Sequence, residues 1–163
     1  MIVILDSSIL IGLGGIGRLA LLHDLFGEVI IPQAVESEVV DYGRDPETSS
    51  QVTEAPWIKT VQVKSEVAVR VLLHPLDLGE AEVIVLTQEL NADLAAVDER
   101  LAREKLESLG VPVVGTLGIL LKAKQAGLLE EIRPEIDRLR QKKFAMSQTL
   151  VGIILDMAGE FPG

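Results

Sequence analysis

The sequence has no cysteine, and this absence removes several kinds of chemistry. Disulfides, thiolate-bound zinc and a cysteine nucleophile are excluded, so any metal must be held by oxygen atoms or by the two histidines. Aromatic residues make up only 3% of the chain, and ring stacking therefore cannot dominate ligand recognition. No apolar run reaches the roughly 18 residues of a membrane-spanning helix. The opening residues also lack a charged leader and a cleavage site, so we expect a soluble, cytoplasmic protein.

Basic residues are fewer than acidic ones, and the formal net charge is −10. This charge disfavours a nucleic-acid partner, because phosphate contacts are made by lysine and arginine. The distribution is uneven, since the segment 100–143 holds ten of the fifteen basic side chains and only six acidic ones. Such asymmetry permits a basic rim beside an acidic centre, although helices that simply face water explain it equally well.

The pattern of hydrophobic residues predicts an α/β domain. Short runs rich in Val, Ile and Leu alternate with helical stretches, which is typical of a parallel sheet covered on both faces. Strands are predicted at 2–5, 28–31, 94–97 and 112–114, with a weaker candidate at 57–63 after a predicted loop at 43–50. Helices are predicted at 7–13, 18–26, 34–42, 80–90, 99–109, 115–126, 133–143 and 147–158. We therefore expect one domain over residues 1–163, with a parallel sheet of four to five strands and an all-helical C-terminal portion from about residue 115.

Two aspartates occupy the positions where parallel sheets bind ligands. Asp6 and Asp98 each follow an apolar strand directly and precede a helix directly. Ligands of such sheets bind outside the carboxyl ends of the strands. An aspartate at this position also caps the helix that follows, so either residue alone is explained without a ligand. Two of them at one edge favour a shared site.

Further acidic candidates lie on the predicted helices that adjoin this edge. Glu38 is about one and a half turns into the helix after the second strand, and Glu80 and Glu82 open the helix before Asp98. The helix macrodipole alone favours acids in a first turn. Because Glu80 and Glu82 are two residues apart, they point to nearly opposite sides of a helix, and only one can face a shared site. We favour Glu80 and keep Glu82 as a supporting residue.

If these carboxylates converge, their repulsion disfavours ionisation unless a cation lies among them. Oxygen-only ligation suits Mg²⁺ or Mn²⁺. Ions of this kind lower the pKa of bound water and polarise phosphodiesters. The pattern thus indicates metal-dependent hydrolysis.

Four segments, in order, resemble the acidic motifs of the PIN-domain nucleases, which include the VapC-like toxins. They are 6–8 (DSS), 31–39 (IPQAVESEV), 79–82 (GEAE) and 97–103 (VDERLAR), and together with 114–121 (VGTLGILL) they are similar to a PIN-like branch of that family. The resemblance implies a three-layer α/β/α fold in which Asp6, Glu38, Glu80 and Asp98 are both the catalytic residues and the metal ligands. Ser8 would orient a carboxylate or water. Thr116 would line the site, although a hydroxyl after a strand more often caps the next helix.

The resemblance also bears on the choice of the third acid and on the activity. Glu80 stands eighteen residues before Asp98, which is close to the usual spacing between the third and fourth family acids. Many relatives have Asp there, and a longer Glu can shift the metal or remove a second one. The implied function is a Mg²⁺- or Mn²⁺-dependent endoribonuclease that hydrolyses RNA by metal-activated water. The family further suggests a toxin with a small antitoxin as partner, and a homodimer.

Three alternatives remain. A PIN-like module that has lost catalysis would bind a partner only. A dinucleotide binder is suggested by the G-x-G-x-x-G pattern at 12–17, but its first glycine must directly follow the first strand, whereas 6–11 intervenes. A receiver or phosphatase-like domain needs a lysine at a strand end, and only Lys59 and Lys64, on the doubtful strand, qualify.

Overall fold

Five parallel strands form the central sheet in the part of the chain that the structure, a computed structural model, describes, residues 1–160. They are β1 (Val3–Leu5), β2 (Val29–Pro32), β3 (Ile58–Val61), β4 (Leu94–Ala96) and β5 (Val113–Val114). Their order across the sheet is β3-β2-β1-β4-β5. The central strand β1 is fully buried, because neighbouring strands flank it and helices cover it. The parallel α/β sheet predicted from the sequence is confirmed, and residues 161–163 of the predicted domain lie outside the described residues.

Helices surround the sheet in a three-layer arrangement. In residues 1–160 they are α1 (Ser7–Gly15), α2 (Ala20–Phe26), α3 (Gln33–Glu36), α4 (Pro46–Glu54), α5 (Glu66–Leu72), α6 (Leu78–Glu89), α7 (Arg100–Ser108), α8 (Thr116–Gln125), α9 (Arg133–Gln141) and α10 (Gln148–Met157). A π-helical turn (Ser37–Asp41) directly continues α3. No single helix of this part is long and apolar enough to cross a membrane, although the bent pair α1 and α2 has the length and composition together.

The connection of the strands determines where a site can form. From β1 the chain moves outward to β2 and β3, and then crosses back to place β4 on the other side of β1. The strand order therefore reverses between β1 and β4. In open α/β sheets a crevice opens at such a reversal, at the carboxyl ends of the two strands. Asp6 and Asp98 directly follow these two strands.

Two helices were not expected from the sequence. The segment 43–50 was predicted as a loop, but α4 begins within it at Pro46. Asp45 caps this helix by accepting hydrogen bonds from the Glu47 amide (3.1 Å) and the Thr48 hydroxyl (2.7 Å), and Pro46 fits the first helical position. The short helix α5 buries only Val69, so its hydrophobic period is weak. The doubtful strand, in contrast, is real and pairs with β2 as β3.

The glycine-rich segment 12–17 serves helix packing. A Cβ on Gly12 would lie 2.8 Å from the ring of Phe144, and one on Gly14 would lie 2.7 Å from Thr48. Gly17 lies between α1 and α2 and has a φ of 72°. The chain bends by 118° from α1 to α2. The glycines thus permit close packing and a sharp turn, as the position of the motif after residues 6–11 predicts.

Charged side chains link the C-terminal helices to one another and to the rest of the domain. Arg18 donates two hydrogen bonds to the buried carboxylate of Glu135, at 2.8 and 3.1 Å. Glu160 accepts hydrogen bonds from the amides of Ile132 (2.8 Å) and Arg133 (3.0 Å) and from the Lys124 ammonium (2.9 Å). Glu160 therefore caps the start of α9 and links it to α8.

Candidate active site

Asp6 is a buried acid at the centre of the sheet edge. Only 5% of its surface is exposed, and its Oδ1 accepts a hydrogen bond from the Ser7 amide at 2.8 Å. Burial raises the pKa of Asp6 to about 7; the Ser7 bond opposes this, while the charges of Asp77, Glu80 and Glu38 add to it. Near neutral pH the group is therefore close to its midpoint, and a neighbouring cation would stabilise its charged form.

Oxygens of three carboxylates lie around the open face of Gly79, the second residue of α6. A Cβ at Gly79 would lie 3.4 Å from Glu38 Oε1, 3.6 Å from Asp77 Oδ1 and 3.7 Å from Asp6 Oδ1. Glu38 comes from the π-helical turn, and such turns are frequent at functional sites. Because glycine has no side chain, the space between these oxygens stays open.

Asp77 was not among the site residues expected from the sequence. It is the N-cap of α6 and accepts a hydrogen bond from the Glu80 amide at 2.8 Å, while Glu80 Oε1 accepts one from the Asp77 amide at 2.9 Å. This reciprocal capping box is readable in the sequence as D-x-x-E. What the sequence does not show is that the Asp77 carboxylate also faces Asp6.

The structure separates Glu80 from Glu82. Glu80 is half-buried beside Asp77; burial raises its pKa, the hydrogen bond from the Asp77 amide opposes this, and the charges of Asp77 and Glu99 raise it further. Glu82 points elsewhere, because its Oε1 accepts a hydrogen bond from the Ala34 amide at 3.0 Å, at the start of α3. Of the two, Glu80 is the one whose charge acts on Asp6.

Asp98 lies at the same edge but is held by a different partner. Its Oδ1 accepts a hydrogen bond from the Thr116 amide and its Oδ2 one from the Thr116 hydroxyl, both at 2.8 Å. Of the two roles considered for Thr116, the helix cap is not observed: the N-cap of α8 is Gly115, and the Thr116 hydroxyl donates to a candidate acid instead. Within residues 1–160, no three acidic or histidine side chains are close enough to form a ready metal cluster. Of the four predicted acids, Asp6 and Glu38 face Gly79, Glu80 acts on Asp6 through its charge, and Asp98 is held by Thr116.

Ser8 supplies an unsatisfied hydroxyl next to this site. Its Oγ is buried and has no hydrogen-bond partner among the described residues. A buried hydroxyl without a partner costs free energy unless water or a ligand satisfies it. Its place in the first turn of α1, two residues after Asp6, suits the supporting role expected for it.

Comparison with known proteins gives a consistent picture. The DUF3368 family model, described as a PIN domain, matches residues 2–160. The chain is also similar to a solved structure, a PilT N-terminus domain protein from the hyperthermophilic archaeon Sulfolobus solfataricus P2, with a TM-score of 0.52 and 18% identity. That similarity covers 80% of this chain and 96% of the archaeal one, and it supports the fold alone. Comparison with curated proteins finds no match.

Proposed function

Because the chain belongs to the PIN-domain family, we propose that it is a Mg²⁺- or Mn²⁺-dependent endoribonuclease that hydrolyses RNA phosphodiester bonds. PIN domains are generally nucleases and typically use divalent metals. The observation that carries the proposal is that Asp6, Glu38 and Asp77 surround the open face of Gly79. Three acids, one of them buried, are costly to hold together unless they bind a cation.

The donor set fits a hard divalent cation. All the groups that face Gly79 are carboxylate oxygens, which Mg²⁺ and Mn²⁺ prefer, and the chain has no thiolate to favour a softer metal. The space is a gap that a single methyl group would fill, and the buried Ser8 hydroxyl has a free hydrogen-bonding capacity. Asp6, Glu38 and Asp77 would hold the ion, with Glu80 and Asp98 at its borders.

The chain's own groups have distinct tasks in the proposed reaction. When bound, Mg²⁺ or Mn²⁺ lowers the pKa of water and neutralises charge on the phosphate. Asp6 holds negative charge at the centre of the edge and keeps its orientation through the Ser7 amide. Thr116 fixes both oxygens of Asp98, so that this acid meets the substrate in one orientation. The Ser8 hydroxyl orients water or a carboxylate.

We further propose the biology that the VapC-like motifs suggest. The protein would act in the cytoplasm as the toxin of a toxin–antitoxin pair, with a small antitoxin that covers the acidic edge, and as a homodimer. The support is the likeness of four motifs to those of such toxins. Growth arrest on expression, together with sedimentation of the purified protein, would test these two parts separately.

Two observations favour a second candidate, a PIN domain that binds a partner without catalysis. Each oxygen of Asp98 already accepts a hydrogen bond from Thr116, and the described residues hold no ready cluster for a metal. Binding of Mn²⁺ without any cleavage of RNA would select this alternative.

The decisive experiment compares Glu80 and Glu82, which lie on one helix, with Asp98 at the end of β4. Cleavage of structured and single-stranded RNA is measured with Mn²⁺ and with EDTA for wild type, Glu80→Gln, Asp98→Asn and Glu82→Gln. We expect metal-dependent cleavage by the wild type, a loss of roughly tenfold or more in Glu80→Gln and Asp98→Asn, and near-normal rates in Glu82→Gln. Glu82→Gln keeps an oxygen for the Ala34 amide, so it controls for folding. Wild-type protein that is inactive with Mn²⁺ would end the proposal, and equal rates in all variants would remove Glu80 and Asp98 from the site.

A smaller change tests the gap itself. Gly79→Ala should weaken Mn²⁺ affinity about tenfold, as changes that disturb metal ligands do, because its methyl group takes the space between the three carboxylates. Stability should not fall, since the methyl meets these oxygens at ordinary contact distances and alanine favours helices by up to about 1 kcal/mol over glycine.

Calorimetric titration with Mn²⁺ and thermal unfolding measure the two effects of Gly79→Ala. Gly152→Ala on α10 is the matched control, since its Cβ would meet nothing within 4 Å. Unchanged Mn²⁺ affinity in a folded Gly79→Ala protein would place the metal elsewhere.

A further inference from the structure

A cavity of about 380 Å³ opens beside Asp98, between α7, β5, α8 and the segment that leads into α10. This volume is within the range of roughly 300 to 1,000 Å³ that is usual for small-ligand pockets. Its walls are mainly apolar, and they include Val113, Leu117, Phe144 and Leu150. The charged groups that line it are Asp98 and Arg103. The cavity is therefore mainly apolar, with one acid and one cation in its lining.

Arg103 brings a cation to the acidic edge. On Gly115, a Cβ would lie 2.8 Å from Arg103 Nη1 and 2.9 Å from Asp98 Oδ1, so the missing side chain lets both groups reach the same point. Asp98 is already held by Thr116, and the ion pairs found in residues 1–160 do not include Arg103. Its guanidinium thus has donors left for an anion.

Phe144 forms a fixed wall of the same cavity. Its ring packs against α1 where Gly12 lacks a side chain, since a Cβ there would lie 2.8 Å from Phe144 Cε2. A ring held in this way presents a flat apolar surface without further loss of freedom on binding. A guanidinium and a flat apolar ring in one lining together match a ligand with an anionic group and a planar ring.

We propose that this cavity binds one nucleotide of the RNA strand next to the cleavage site, with its base against Phe144 and its phosphate on Arg103. The inference rests on the proposed function for the identity of the substrate. A chain of net charge −10 repels phosphate at long range, so a cation beside the carboxylates is needed for close approach. Arginine suits this task because its planar donors bind phosphate in pairs.

Two substitutions with matched controls test the nucleotide site. Arg103→Gln removes the cation, and Arg100→Gln on the same helix removes an arginine that is 84% exposed and paired with Glu104. Leu150→Trp fills the cavity, whereas Ile153→Trp on α10 places the same ring at an exposed position that does not line it. Circular dichroism verifies that all four variants fold.

The readouts are binding and cleavage of a fluorescein-labelled single-stranded RNA of about ten nucleotides, a length that spans a typical single-strand site. Binding is measured by anisotropy in EDTA, and cleavage with Mn²⁺. Arg103→Gln and Leu150→Trp should raise Kd and KM roughly tenfold, with kcat changed less than about threefold. Arg103→Gln should also reduce the salt dependence of binding by about one phosphate contact. Both controls should match the wild type.

The outcomes separate this inference from the proposed function. Metal-dependent cleavage with equal KM and Kd in all variants would overturn the nucleotide site and leave the nuclease in place. RNA binding that depends on Arg103 without any cleavage would uphold the nucleotide site and overturn the nuclease. No binding and no cleavage by the wild type would overturn both.

Discussion

Asp6→Asn is expected to stabilise the metal-free protein above pH 7. The pKa of Asp6 is about 7 in the folded chain, against 3.8 for the ordinary group, so the folded state holds this proton more tightly than the unfolded state. Its contribution to stability is therefore complete below pH 3.8 and is lost as the pH rises to about 7. At about 1.4 kcal/mol for each pKa unit, deprotonation of Asp6 lowers the free energy of unfolding by on the order of 4 kcal/mol. Asparagine carries no charge and keeps an oxygen for the Ser7 amide.

Urea unfolding in EDTA at pH 4 and pH 8 measures this effect. The variant and the wild type should be nearly equally stable at pH 4, and the variant should be more stable by up to about 4 kcal/mol at pH 8. Asp137→Asn, at an exposed position on α9, is the control and should show no such difference. A variant that is no more stable than the wild type at pH 8 would contradict the assignment of a costly buried charge.

The same substitution should abolish cleavage. If Asp6 is the central metal ligand, its replacement by a neutral amide should reduce kcat/KM by roughly 100-fold or more. Stability and activity would then change in opposite directions, which is the usual consequence of keeping repelling charges together for function. A variant that gains stability and keeps full activity would show that Asp6 is dispensable for the chemistry.

Glu160→Ala is expected to lower the free energy of unfolding far more than substitution of an exposed glutamate does. Burial raises the pKa of Glu160, but the hydrogen bonds from the Ile132 amide, Lys124 and the Arg133 amide outweigh it, so the net shift is downward. Removal of the carboxylate leaves the Ile132 and Arg133 amides at the start of α9 without their acceptor, and it leaves the Lys124 ammonium with the Ala158 carbonyl oxygen but without its ion pair. Broken charged hydrogen bonds of this kind cost on the order of 2 to 4 kcal/mol.

Chemical unfolding at neutral pH measures this loss. Glu131→Ala, an exposed glutamate close in sequence to α9, is the control and should change stability by less than about 0.5 kcal/mol. Because the folded pKa of Glu160 is lowered, the difference between wild type and Glu160→Ala should shrink as the pH falls through that value. An equal effect in both variants would show that the contacts of Glu160 contribute nothing specific.

Several features of this protein could be predicted from short stretches of sequence. The apolar runs of β1, β2 and β4, and the helices that follow them, have strong local patterns, and each lies within a few residues of its predicted place. The helices α4 and α5 were missed because they bury few residues and begin at polar caps. A signal was present in the Asp45-Pro46 pair, which is a common start for a helix.

By itself the sequence determined the α/β architecture, the placing of Asp6 and Asp98 at strand ends, and the preference for Glu80 over Glu82. These follow from periodicity and strand polarity, which are properties of neighbouring residues. Only the tertiary structure decided which groups each carboxylate contacts. Asp98 accepts a hydrogen bond from Thr116, and Glu82 accepts one from the amide at the start of α3. Asp77 lies beside Asp6 and Glu38 at Gly79. Hydrogen bonds and charges act between groups that are distant in the chain but near in space, and this is why local patterns do not reveal them.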